Sequence, residues 1–198
     1  MTLPDVGTLP PGYELRRADR GLVAWLPEWA HALEEAGLGP ASRGAPPGFQ
    51  TSDRAGRRPL GELEVPEGRV LLRSFSHGGL LRGLTGRRFA DPTRPFLELC
   101  LSSELTARGI PTPRVVAARA RRAPGWGWEL DLVTECIQDS IDLGYVLAMA
   151  RDGELEPRSR HAILSGAGAF VASLHAAGLH HVDLQPNNIL VNLSLIHI

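Results

Sequence analysis

Lysine is absent from this 198-residue sequence, in which all 21 basic residues are arginines. A guanidinium stays protonated at physiological pH, so chemistry that needs a deprotonated amine, such as Schiff-base formation, is excluded. Cysteine is nearly absent as well, since Cys100 and Cys136 are the only two. Two cysteines make neither a disulfide framework nor a four-ligand zinc site, which favours a reducing compartment.

Long apolar runs and a secretory signal are also missing. No stretch reaches the roughly 18 apolar residues that a membrane span requires. The segment Met1–Leu15 has no basic region followed by an apolar one. We therefore expect a cytoplasmic protein that is neither secreted nor integral to a membrane.

Charge is balanced overall but unevenly distributed. The sequence has 21 arginines and 22 acidic residues, yet 14 arginines and only six acidic residues lie between Arg54 and Arg122. A basic surface of this kind attracts anionic ligands such as nucleotide phosphates or acidic lipid headgroups. The same distribution also fits ordinary solvated faces, and charge alone leaves both interpretations open.

Apolar runs and helix-stop residues predict an α+β protein. Helices are expected over residues 27–36, 95–108 and 161–177, and strands over 60–65, 70–75, 115–118 and 128–137. The last helix carries an apolar stripe, which consists of Ile163, Ala167, Phe170, Val171 and Leu174. This order describes a small antiparallel sheet with one helix, followed by a helical region, and it favours two lobes over a parallel βαβ sheet.

A turn after the last predicted helix carries the residues with the clearest chemistry. The sequence HVDLQPNN, from His181 to Asn188, places Asp183 and Asn188 five residues apart. In phosphoryl transfer, an Asp orients and deprotonates the attacking hydroxyl, while an Asn carbonyl oxygen holds a magnesium ion. The H-x-D-x-x-x-x-N spacing is typical of the catalytic loop of kinase-like enzymes.

A kinase-like site also needs a cation on a strand and an acid on the following helix. Arg73 lies in the predicted strand 70–75, where the usual pattern has Lys, and Glu98 is the only acid on the first turns of the predicted helix 95–108. A lone carboxylate among apolar neighbours needs a partner, because an unpaired buried charge is costly. We predict that Glu98 pairs with Arg73. The alternatives are an exposed strand end and an exposed helix position.

Several short motifs occur together in a fixed order. They are VLLRSFSHGGL at 70–80, TRPFLE at 93–98, GIPTPR at 109–114, LVTE at 132–135 and the loop that begins at His181. This set resembles the Kdo kinase/WaaP lipopolysaccharide kinase family over roughly residues 55–192.

The resemblance implies a protein-kinase-like, two-lobed fold. It also implies ATP- and Mg²⁺-dependent phosphorylation of 3-deoxy-D-manno-octulosonic acid (Kdo) in the lipid A inner core of lipopolysaccharide. The enzyme would then act at the cytoplasmic face of the bacterial inner membrane, peripherally on an anionic surface and without a nucleic-acid partner.

Matched position by position, the same resemblance assigns the site. Asp183 is the catalytic base, Asn188 a magnesium ligand, and Arg73 with Glu98 the phosphate-positioning pair. The adenine-contacting hinge comprises Glu135, Cys136 and Ile137.

The resemblance also suggests how the chain is divided. We expect an N-terminal extension over 1–54, a kinase-like N-lobe over 55–137 and the start of a helical C-lobe over 138–192. No acidic residue follows Asp183, so the second metal-binding carboxylate of the family is missing. Residues 193–198 do not resemble the family. We therefore expect a non-native tail, an incomplete C-lobe and a poorly active fragment.

Two other functions stay open at this point. One is a different small-molecule kinase of the same fold, similar to aminoglycoside phosphotransferases, whose catalytic loop has a similar pattern. The other is a non-catalytic pseudokinase that binds a nucleotide or a partner. Neither the acceptor hydroxyl nor the oligomeric state follows from the sequence.

Overall fold

An antiparallel sheet of seven strands dominates the computed structural model, which describes residues 5–42, 46–51, 60–77, 86–179 and 184–192. The strands are β1 (Glu14–Ala18), β2 (Gly21–Trp25), β3 (Gln50–Thr51), β4 (Gly61–Val65), β5 (Gly68–Ser74), β6 (Val115–Arg122) and β7 (Trp128–Glu135). Their spatial order is β1-β2-β6-β7-β5-β4-β3, and every neighbouring pair is antiparallel. The fold is therefore mixed α/β with a large antiparallel sheet.

The chain divides into two compact units. The first comprises Met1–Ala107 and Pro111–Cys136, and the second comprises Arg108–Ile110 and Ile137–Ile198. The sheet belongs to the first unit.

Helices cover both faces of this sheet. Helix α1 (Pro27–Leu33), which continues as a π-helical turn to Leu38, buries Trp29 and Leu33 against one face. Helix α2 (Arg94–Ala107) buries Phe96 and Leu99 against the other. Alternate residues of a strand point to opposite faces, so the central strands β2, β6 and β7 supply apolar residues to both clusters.

The sheet is larger than the sequence indicated. Strands β1 and β2 lie in the stretch expected to be an N-terminal extension, and β2 is fully buried beside β6. Strand β6 extends to Arg122, four residues beyond the predicted end. Strand β7 ends at Glu135 and not at Ile137, because the chain passes into the second unit after Cys136.

A buried ion pair explains the extension of β6. Arg119 and Asp131 lie opposite each other on β6 and β7, with 0% and 1% of their side chains exposed. Arg119 donates to Asp131 Oδ2 from Nε at 3.0 Å and from Nη2 at 2.7 Å, and it donates to the Gly37 carbonyl from Nη1 at 3.0 Å. Ser74 on β5 donates to the second carboxylate oxygen at 2.5 Å. Burial lowers the pKa of the Arg119 guanidinium, and Asp131 counteracts that shift.

The second unit is mainly helical. It contains β8 (Ser140–Asp142), α3 (Leu143–Asp152), α4 (Pro157–Ala176), a 3₁₀ turn (Pro186–Asn188) and β9 (Leu190–Asn192), which pairs with β8. Its core includes Leu143, Val146, Ile163 and Val191.

Two features of the second unit differ from the sequence-based expectation. Helix α4 begins at Pro157, four residues before the predicted start. Of its predicted apolar stripe, Ile163 and Leu174 are buried, whereas Ala167, Phe170 and Val171 are only partly buried.

Helix α3 was not predicted, although the sequence carries both of its boundary signals. Asp142 caps its first turn by accepting a hydrogen bond from the Tyr145 amide at 2.9 Å. Gly153 ends it with a left-handed φ of 79°. Among the described residues, no helix combines the length and apolar composition of a membrane span. The tail 193–198 lies outside the described residues.

Candidate active site

The predicted site residues are distributed over both units. Arg73, Glu98, Glu135 and Cys136 belong to the first unit, while Ile137 and Asn188 belong to the second. Asp183 lies in the segment 180–183, outside the described residues. The predicted residues therefore fall into two separate sets, one within each unit.

The structure brings Arg73 and Glu98 together. Arg73 lies one residue before the end of β5, and Glu98 lies on the second turn of α2. Arg73 Nη2 donates to Glu98 Oε2 in a direct ion pair. The two side chains are 50% and 31% exposed, so solvent and ligands can reach the pair. The predicted contact is confirmed, whereas its role in binding phosphate stays a prediction.

A second arginine shares this carboxylate. Arg94, the first residue of α2, directs its Nε to Glu98 Oε1 at 3.3 Å. The guanidinium carbons of Arg73 and Arg94 lie 4.8 and 5.0 Å from the centroid of the Phe75 ring. Arg94 was not among the predicted site residues, and it lies one residue before the predicted helix start. Its spacing of four residues from Glu98 was the signal that could have placed it in this cluster.

The predicted hinge has less hydrogen-bonding capacity than its position suggested. The Glu135 amide donates to the Arg114 carbonyl and the Cys136 amide to the Arg69 carbonyl, both at 2.8 Å. The Glu135 carboxylate also contacts Arg114 Nη1 at 3.4 Å. Both backbone donors are therefore already used within the first unit, and a purine base would need a donor from elsewhere. Ile137 is 40% exposed and accepts a hydrogen bond from Ser140 at its carbonyl.

Asn188 ends a short turn that is fixed to α3. The backbone amide of Asn188 donates to the Gln185 carbonyl at 2.8 Å, and the backbone amide of Ile189 donates to the Pro186 carbonyl at 3.1 Å. The Ile189 carbonyl in turn accepts from the Leu143 amide at 2.8 Å. These bonds set the position of Asn188 relative to the start of α3.

Asn187, the neighbour of Asn188, lies directly against Gly144 in the first turn of α3. A Cβ atom at Gly144 would be 2.2 Å from Asn187 Oδ1 and 3.0 Å from Asp142 Oδ1. Such distances are far below van der Waals contact, so a side chain at position 144 would force the exposed Asn187 side chain to move. The turn that carries Asn188 thus rests on a helix position without a side chain.

We expect Gly144→Ala to destabilise the second unit by up to about 1 kcal/mol, less than the cost of overpacking a core, because the clashing atom ends an exposed side chain. The new methyl group would displace the Asn187 side chain from the first turn of α3. Thermal unfolding followed by far-UV circular dichroism measures the loss, and hydrogen exchange at residues 186–192 locates it.

Two comparisons make this prediction specific. Gly166 lies inside α4, and a Cβ atom there would have no neighbour within 4 Å among the described residues outside its own helix turn, so Gly166→Ala should stabilise the unit through helix propensity. Adding Asn187→Ala to Gly144→Ala should recover most of the loss, since it removes the clashing amide. A Gly144→Ala variant as stable as Gly166→Ala would contradict the packing argument.

The metal-binding part of the site is described only in part. No group of three or more His, Cys, Asp or Glu side chains forms a metal cluster within the described ranges. A carboxamide oxygen such as that of Asn188 is a hard donor suited to Mg²⁺. Asp183, the residue with which it would act, is outside those ranges.

Comparison with known proteins gives consistent matches. Residues 65–195 match the family described as lipopolysaccharide kinase (Kdo/WaaP) family. Among curated proteins, a 3-deoxy-D-manno-octulosonic acid kinase of Xanthomonas oryzae pv. oryzae is 33% identical over 142 residues, which cover 70% of this chain and 53% of that protein. A protein of the same name from Photobacterium damsela subsp. piscicida is 31% identical over 127 residues, covering 62% and 50% respectively.

The chain therefore spans about half the length of the curated relatives that it matches. No solved structure matches it.

Proposed function

The chain belongs to the lipopolysaccharide kinase (Kdo/WaaP) family, and we propose that the full-length protein transfers the γ-phosphoryl group of ATP to a hydroxyl of a Kdo sugar in the lipid A inner core. The observation that carries this proposal is the ion pair of Arg73 on β5 with Glu98 on α2. A cation on a strand, held by a helix carboxylate, is the arrangement with which kinase-like enzymes position nucleotide phosphates.

In the proposed reaction, an acceptor hydroxyl oxygen forms a bond to the γ-phosphorus, and the bond from that phosphorus to the β,γ-bridging oxygen breaks. ADP leaves with the electron pair of that bond. Asp183 accepts the hydroxyl proton, which makes the oxygen a better nucleophile. Arg73 binds the phosphate oxygens, and Glu98 keeps its guanidinium in place. The hinge Glu135–Ile137 lies beside the base, and its Glu135 and Cys136 contribute through groups other than their amides.

The magnesium assignment follows from donor chemistry. The side-chain carbonyl oxygen of Asn188 would hold Mg²⁺ together with a carboxylate elsewhere in the full-length protein. The ion would supply positive charge to the phosphates.

The two units correspond, in this proposal, to the N-lobe and to the start of the C-lobe of a kinase-like fold. Because the acceptor is anchored in lipid and ATP is cytoplasmic, the protein would act peripherally at the cytoplasmic face of the inner membrane. The excess of arginine between Arg54 and Arg122 supports attraction to anionic lipid headgroups.

A direct transfer assay tests the proposal. Full-length protein is incubated with Mg²⁺, γ-labelled ATP and Kdo-containing lipid A, and the labelled lipid and ADP are quantified together. We expect label in the lipid in a one-to-one ratio with ADP, and none when lipid A without Kdo is supplied.

Each other outcome overturns the proposed function. Transfer to aminoglycosides but not to the lipid would indicate a different small-molecule kinase. ATP binding without transfer to either acceptor would indicate a pseudokinase.

A further inference from the structure

We propose that Arg94 is a second phosphate-binding residue of this site, which acts with Arg73 on the polyphosphate of a nucleotide. This inference rests on the proposed function and extends it by one residue. Arg73 and Arg94 together form the arginine pair.

The first argument is the geometry of the arginine pair. Arg73 contacts one carboxylate oxygen of Glu98 and Arg94 contacts the other. Their guanidinium carbons lie 4.8 and 5.0 Å from the centroid of the same Phe75 ring. Two guanidiniums held by one carboxylate and one ring are close enough to bind neighbouring oxygens of a single polyphosphate.

The second argument is the charge and the number of hydrogen-bond donors. Two positive charges share a single carboxylate, so the cluster carries a net charge of about +1. An arginine has five N–H donors, and Glu98 takes one from each member of the arginine pair. The side chains are 50% and 59% exposed. Most of the N–H donors of the two arginines therefore have no protein acceptor within the described residues and are accessible to an anion. Guanidinium groups bind phosphate through two parallel hydrogen bonds.

The third argument is that Arg94 is poorly placed for a purely structural role. It is the first residue of α2, where its positive charge opposes the helix dipole. Its order relative to Glu98, with the cation four residues before the acid, is the less stabilising of the two possible orders. The contacts of Arg94 with Glu98 and the Phe75 ring offset these two unfavourable features only in part, and binding of an anion would add a favourable interaction for the cation at this position.

Binding measurements on full-length protein test the inference. The probes are inorganic tripolyphosphate, ADP and adenosine, and affinities are measured by titration calorimetry at low salt. We expect Arg94→Met to weaken tripolyphosphate and ADP binding about tenfold, the effect of one charge-assisted contact, and to leave adenosine binding unchanged. Arg94→Lys should recover part of the lost affinity, because it restores the positive charge but not the paired N–H donors of a guanidinium.

Arg16 provides the matched control. It pairs with Glu34 at 3.6 Å, lies 5.3 Å from the Trp25 ring centroid and is 52% exposed, but it belongs to the outer strand β1. Arg16→Met should leave all three affinities unchanged. If Arg94→Met does not fold, Arg94→Gln replaces it, and circular dichroism verifies the fold of each variant.

The possible outcomes separate this inference from the proposed function. If Arg73→Met weakens polyphosphate binding and Arg94→Met does not, the role of Arg94 is overturned and the kinase proposal stands. If Arg94→Met weakens binding but the lipid is never phosphorylated, the anion site stands and the kinase proposal falls. If the unmodified protein binds no polyphosphate, both are overturned.

Discussion

The Asp183→Asn variant of the full-length protein is expected to bind ADP normally and to phosphorylate its lipid acceptor roughly 10² to 10⁴ times more slowly, the usual contribution of a positioned general base. The amide keeps the size of the carboxylate but cannot accept the hydroxyl proton. Single-turnover transfer at saturating ATP and lipid measures the chemical step, and titration calorimetry measures ADP affinity.

Asp152 serves as the control for this experiment. It lies at the end of α3, is exposed and pairs with the neighbouring Arg151 at 2.8 Å. Asp152→Asn removes the same charge from the same unit and should leave the transfer rate unchanged. Equal rates for Asp183→Asn and the unmodified protein would show that another residue accepts the proton.

The second large effect is expected on stability. Asp131→Ala should destabilise the first unit by about 3–5 kcal/mol, because it leaves the Arg119 guanidinium buried without its counter-charge. The loss of the Ser74 hydrogen bond adds to this cost. Urea unfolding followed by tryptophan fluorescence is the appropriate measurement. All four tryptophans, which are Trp25, Trp29, Trp126 and Trp128, belong to this unit.

An exposed ion pair of the same sheet provides the comparison. Glu64 on β4 contacts Arg69 on β5 at 3.1 Å, and its side chain is 74% exposed. Glu64→Ala should cause no measurable loss, since solvent screens such pairs. The double variant Arg119→Met/Asp131→Leu should recover much of the stability lost in Asp131→Ala, because it removes the buried unpaired charge, while Arg87, which contacts Asp131 at 3.5 Å, is 41% exposed and stays solvated. A similar loss in Asp131→Ala and Glu64→Ala would contradict the importance of burial.

Local sequence signals were sufficient for part of the fold. The hairpin of β4 and β5 follows from two apolar runs around Pro66, Glu67 and Gly68. Helix α2 ends where Gly109 adopts a φ of 75°. The contact between Arg73 and Glu98 was predictable because a lone acid on an apolar helix turn needs a cation, and few cations were suitably placed.

Other features depend on partners far away in the chain. Arg119 interrupts an apolar strand pattern, and the charge of Asp131 on the adjacent strand, together with the distant Gly37 carbonyl, makes its burial tolerable. Strand β2 is too short to stand out locally, and its burial depends on β6. The pattern of apolar residues within a short stretch of sequence cannot predict such pairings, because they depend on tertiary contacts.

In the candidate site, too, some features were predictable from local sequence and others depend on packing. Motif spacing indicated Asp183 and Asn188, but not that the neighbouring Asn187 side chain lies directly against Gly144. It also did not show that the amides of Glu135 and Cys136 are already bonded to carbonyl groups. Both facts concern the space and hydrogen bonds left after packing, which a linear motif does not encode.

The place of β2 in the sheet also affects how the protein is synthesised. Leu22 pairs with Ala120, so the N-terminal hairpin has no neighbour in the sheet until roughly a hundred further residues exist. At about 5–20 residues per second, a ribosome needs on the order of 5–20 s to supply them. Throughout that interval β2, whose five residues are all buried in the finished sheet, presents an uncovered apolar strand. A translational pause before β6 has left the ribosome thus prolongs the period in which the nascent chain is open to aggregation or chaperone capture, whereas a pause after β6 has emerged and paired with β2 leaves it protected.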